Sequence, residues 1–157
     1  YEGDLVPAFT LIGESVALFR GLNADASLAE VLITSGYILK AQGDVVAAHG
    51  AMTEALRLAW VMGPHLLVAA SLEGLASVAA QQGHADLTVR LLATAAALRV
   101  DIGAPVRPAD QAAVDTALES AQSDLSAAAF AALWAEAQSL PVEQILNDLI
   151  ISAASYS

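Results

Sequence analysis

After Gly43, apolar or small residues fall at Val45, Ala48, Met52, Ala55, Leu56 and Ala59. That three- and four-residue spacing marks one face of a helix. The same face recurs after Gly3 as Leu5, Ala8, Ile12, Val16 and Phe19. A turn follows near Asn23 or Gly63, and a second helix then runs to the next glycine, over about 25–42 and 65–82. Each helix holds roughly 16 to 18 residues, or about 25 Å.

The pattern has a period of 40 residues. Gly3-Asp4 returns as Gly43-Asp44 and then as Gly83-His84. Superposing 3–42, 43–82 and 83–122 aligns Leu18, Leu58 and Leu98; Ala29, Ala69 and Ala109; and Gln42, Gln82 and Gln122. Apolar character recurs at Ile12, Met52 and Leu92, and at Leu22, Met62 and Ile102. Asn23, Gly63 and Gly103 share a column suited to the left-handed conformation that ends a helix. A period of this size is the signature of a solenoid built from helix pairs.

The third period departs from the first two. Its first helix, about 84–101, is regular, but "GAPVRPAD" then places Pro105 and Pro108 in the connection. Pro108 suits the first turn of a helix over about 108–122. A further helix in "SDLSAAAFAALWAEAQ" has its cap between Ser123 and Ser126, and Pro141 opens an amphipathic last helix carrying Val142, Ile145, Leu146 and Leu149. These helices, 123–155, form a C-terminal cap on the stack. The expectation is one all-α domain of about eight helices.

Composition agrees. Alanine (36) and leucine (23) dominate, and both lead the helix-forming scale. There is no cysteine, which removes disulfides and thiolate metal sites. The net charge of −11 disfavours direct nucleic-acid binding and an anionic membrane surface, because both depend on lysine and arginine. The longest uncharged run, between Arg57 and Glu73, is interrupted by Gly63 and Pro64 and is too short to span a bilayer. The start, "YEGDLVPAF", lacks a methionine and a basic signal-peptide region, and reads as a cut inside a longer protein.

The stretch "SGYILKAQGDVVAAHGAMTEAL" resembles the tetratricopeptide repeat, through Gly36, the Gly43-Asp44 turn, Ala48 and Ala55. The next unit matches at Ala76, Gly83 and Ala95, with Thr88 where the family has alanine. The period exceeds the family's usual length, and no proline closes the repeat. The tail resembles the C-terminal region of bacterial LuxR-type regulators and signalling ATPases. It does so through Arg99, Ile102, Gly103, Ala104, Pro105, Phe130, Trp134, Glu136, Leu140 and Glu143. The resemblance implies a right-handed α-α superhelix in a cytoplasmic regulator. Its partners would be other domains of the same chain and a protein segment or small effector.

The chemistry-bearing residues are sparse. The chain has no phosphate-loop, zinc-protease or nucleophile-elbow motif, and His49, His65 and His84 lie far apart. No catalytic residue, metal site or cofactor is expected. In tetratricopeptide stacks the concave face receives ligands, and carrying that over gives Glu30, Ile33, Tyr37 and Lys40, with Glu73 and Ser77 from the next repeat. Lys40 is the sole lysine, and Ala80 and Ser120 hold its column. The basic and asparagine set of co-chaperone relatives that clamp a peptide carboxylate is missing. The expected role is therefore a non-catalytic interaction or regulatory domain. One alternative is a scaffold that self-associates through its first helix, where Leu5, Phe9, Ile12 and Phe19 lack a preceding partner. A helical enzyme is the third reading.

Overall fold

The computed structural model describes the backbone of residues 5–21, 24–63 and 65–155, and the side chains of that set other than 5, 6, 9 and 149–155. The expected turn at Gly3-Asp4, Leu22, Asn23, and the side chains of Leu5, Phe9 and Leu149 lie outside the described residues. Eight helices follow one another: α1 Leu5–Gly21, α2 Asp25–Ala41, α3 Val45–Val61, α4 Leu66–Gln81, α5 Ala85–Ile102, α6 Pro108–Asp124, α7 Ala127–Ser139 and α8 Val142–Ser155. No strand occurs among the described residues. None of the described helices is long and apolar enough to cross a membrane.

The turns repeat their chemistry. Gly43, Gly63, Gly83 and Gly103 all take positive φ, between 66° and 92°. At three of them the chain closes the preceding helix with a paired motif. Asp44 N–H donates to the Leu39 carbonyl while Gly43 N–H donates to Lys40, and His84 and Gly83 do the same to Ala79 and Ala80. Ala104 and Gly103 repeat it on Arg99 and Val100. These bonds satisfy carbonyls that a helix end leaves open. Asp44 then caps α3, its Oδ1 accepting from Ala47 N–H at 3.1 Å, and Ser126 caps α7 through Ala129 N–H at 3.1 Å.

The helices pack as a consecutive array. α2 pairs with α3 and α4 with α5, while α2, α4 and α6 lie side by side. α5 also packs on α7 and α8, and α1 packs on α2. Arg20 reaches from α1 to Glu54 on α3, with Nη2 2.6 and 2.8 Å from the two carboxylate oxygens. Helix α4 is central, and every residue from Val68 to Ala79 is buried. A helix buried all round must carry few charges, and only Glu73 breaks that rule in α4.

Small residues set the helix spacing. Met52 on α3, fully buried, lies against Gly36 of α2 and Gly74 of α4. A methyl group at Gly36 would stand 2.7 Å from Met52 Cε, and one at Gly74 would be pressed closer still, against Met52 Sδ. The two glycines therefore make the volume that the flexible thioether fills. Buried hydroxyls bond back along their own helices: Thr53 to the His49 carbonyl, Ser71 to Leu67, Thr88 to His84 and Thr94 to Arg90, at 2.7 to 2.8 Å. Thr88, standing where the repeat pattern has alanine, is accommodated in this way.

Candidate functional site

The six positions expected to line a concave face do not share one environment. Glu30 is exposed, Tyr37 and Lys40 are half-buried, and Ile33, Glu73 and Ser77 are buried. Glu73 and Ser77 are buried where α6 packs directly on α4, with Ala117 and Ala121 of α6 buried, and Ile33 belongs to the core where α2 packs on α3 and α4. The inner surface of the second repeat is thereby closed, and the six residues form no continuous open groove. Among the described residues Lys40 has no ion-pair partner.

Two of the six belong to a buried polar cluster. The Arg99 guanidinium lies along the Glu73 carboxylate, with Nε 2.5 Å from Oε1 and Nη2 2.9 Å from Oε2. Its remaining edge donates to the Pro105 carbonyl at 2.9 Å and the Ala104 carbonyl at 3.4 Å. The hydrogen bond to Glu73 raises the Arg99 pKa further above its already high value. Burial, then the Asp110 and Glu73 carboxylates, push the Tyr37 phenol well above its usual 10.0, outweighing Arg107 and Arg99. Asp110 is in turn held by Arg107 Nε at 2.7 Å. Every polar edge of Arg99 and both oxygens of Glu73 are occupied. This cluster fixes the proline-containing connection from α5 to α6 and leaves neither charged group free to move a proton.

An apolar pocket of about 240 Å³ lies on the other side of the array. Leu56, Trp60 and Val61 of α3, Leu75 of α4 and Leu146 of α8 form its walls, and His49, Thr53 and Arg57 supply its polar atoms. Residues 49, 53, 56, 57, 60 and 61 fall on one side of α3 by helical spacing. Thr53 spends its hydroxyl proton on the His49 carbonyl. Burial lowers the His49 pKa below its usual 6.5, which favours the neutral imidazole. Val61 is 82% exposed, so the pocket reaches the surface there, and Met62 and Leu66 near the α3–α4 turn are exposed as well.

Sequence reasoning passed over this pocket. Its α3 members were visible as a stripe mixing a histidine and an arginine with leucine and tryptophan. Leu75 and Leu146, which complete it, are 71 positions apart in the chain, and no local signal joins them. The other histidines stand apart from it. His65 caps α4 by accepting from Leu67 N–H at 3.1 Å, and its buried Nε2 has no partner among the described residues. His84, at the start of α5, is exposed. Among the described residues no group of three acidic or histidine side chains is arranged to hold a metal ion.

Comparison of the chain with known protein families, with curated proteins and with solved structures finds no match, so its function is argued from its own residues.

Proposed function

We propose that this chain is the helical-repeat interaction domain of a cytoplasmic bacterial regulator, either a transcription regulator or a signalling ATPase. It takes a partner segment or small effector and thereby biases other domains. The observation that carries this reading is the apolar pocket between α3, α4 and α8, one of whose walls is the exposed Val61. Exposed apolar surface continuous with a pocket is the usual mark of a recognition site. The tetratricopeptide-like repeat and the regulator-like tail support the setting, and Glu30, Tyr37 and Lys40 are candidate contacts on the α2 side. The test is Val61→Glu in the full-length protein. It should leave the thermal melt unchanged while weakening partner or effector binding and altering regulatory output. Unaltered binding and output would sink the reading.

A second reading is self-association through α1. Leu11 and Leu18, seven residues apart on this helix, are 63% and 58% exposed. That spacing puts both leucines on one face. Light scattering should then show a dimer that Leu11→Glu with Leu18→Glu converts to a monomer; a monomer of the unaltered chain at high concentration counts against it.

A further inference from the structure

The pocket's charge is as specific as its shape. Of the five arginines in the chain, four are paired: Arg20 with Glu54, Arg90 with Glu136, Arg99 with Glu73 and Arg107 with Asp110. Arg57 alone has no hydrogen-bond or ion-pair partner among the described residues, and it is the one that lines the pocket. The acidic residue of its own helix, Glu54, has both oxygens taken by Arg20. Glu143 and Asp148 on α8 are exposed to solvent and do not line the pocket. Charges farther than about 8 Å are largely screened at physiological salt, so the net −11 does not set the field here.

We propose that the α3–α4–α8 pocket binds a small amphipathic carboxylate, an aryl or medium-chain alkyl acid whose body lies against Leu56, Trp60, Leu75 and Leu146 and whose head meets Arg57. This rests on the interaction-domain reading and names the effector class for it. A cavity of roughly 150 Å³ lined by apolar side chains accepts benzene. At about 240 Å³ this one has room for a ring with a short chain or for a medium alkyl tail. Trp60 offers a flat wall for either. The Thr53 proton is already committed to the His49 carbonyl. A guanidinium is therefore the strong donor left for the ligand, and its fork matches a carboxylate. A phosphate-rich ligand fits less well, because Arg57 is the one charged donor in the lining and the His49 and Trp60 ring N–H groups are uncharged.

The test uses octanoate and phenylpropionate as probes, with octanol as the neutral control, followed by calorimetry and by Trp60 emission. Both acids should bind more tightly than octanol, by up to about five-fold for an ion pair at a partly open site. Arg57→Gln should remove that preference, bringing the acids to the same affinity as octanol in the variant. A bromo-substituted octanoate should quench emission in Trp134→Phe protein and lose that effect in Trp60→Phe protein. Equal binding of acid and alcohol overturns the proposal but leaves an apolar recognition site standing. Failure of both to bind folded protein also overturns it, while the interaction-domain reading is judged separately by Val61→Glu in the full chain.

Discussion

Arg99 of α5 and Glu73 of α4 face each other as two parallel hydrogen bonds, 2.5 and 2.9 Å long, with both side chains buried. The repeat has alanine at 59 and isoleucine at 33 in the corresponding columns, so this pair belongs to the second unit alone. It sits where the regular array gives way to the Pro105–Pro108 connection, and Arg99 ties that connection down through two carbonyls. A buried ion pair of this kind specifies geometry more than it adds net stability.

Removing one partner should therefore cost more than removing both. Arg99→Met leaves a buried carboxylate alone and should destabilise the fold by about 3–5 kcal/mol in urea titration. The double variant Glu73→Met with Arg99→Met should recover most of that loss. Arg99→Lys should not rescue, because a point charge cannot span two oxygens and two carbonyls. Additive costs in the double variant would refute the coupling.

Gly43 and Gly50 separate backbone strain from packing. Neither would bring an added methyl within 4 Å of another group, yet Gly43 has φ +85° and Gly50 lies inside α3. Gly43→Ala should lower stability by about 1 kcal/mol, since the left-handed conformation crowds a side chain. Gly50→Ala should raise it by about 0.5–1 kcal/mol through helix propensity. Thermal melts of the two single variants should move in opposite directions.

The turns and helix pairs were legible because they repeat. Gly43, Gly83 and Gly103 each close a helix with the same paired bonds and Gly63 shares their left-handed φ, and a local task leaves a local signature. Helix limits expected at 25–42, 65–82 and 84–101 were met within a residue or so by α2, α4 and α5. The site was less legible. Glu73 and Ser77 were assigned to an open face, because nothing in the spacing announces that α6 closes over α4, and Ile33 proved to be part of the core between α2 and its neighbours. Glu73 and Arg99 are 26 residues apart, so an exposed-looking charge could not be matched to its buried partner. Gly74 was equally silent: its reason is Met52, on a different helix.

Met52 and Gly74 should show coupling in a double-mutant cycle. Gly74→Ala gains helix propensity but forces the thioether aside, and overpacking of a core commonly costs about 1–3 kcal/mol. The single substitution should thus be destabilising. In a Met52→Ala background the same methyl enters vacated space, and Gly74→Ala should become stabilising by up to about 1 kcal/mol. The same sign in both backgrounds would show that Met52 does not define the spacing of α3 and α4.

His49 should give the fold a dependence on mild acid. Burial holds its folded pKa below the usual 6.5, so on lowering pH the unfolded chain takes up its proton first. Stability should fall as pH drops through about 6.5 and level off below the folded value, because in that window the unfolded state binds more protons. His49→Gln should remove this component, and the difference in melting temperature between the two proteins should change across about pH 7 to pH 5. A constant difference over that range would mean that the imbalance in proton uptake at His49 is absent. Because His49 lines the same pocket as Arg57, filling the pocket with octanoate should shift the His49 titration observed by NMR. Direct charge attraction by the bound carboxylate would raise its pKa, whereas further desolvation would lower it. The short reach expected of a head group held on Arg57, with only the apolar tail beside His49, favours the downward shift.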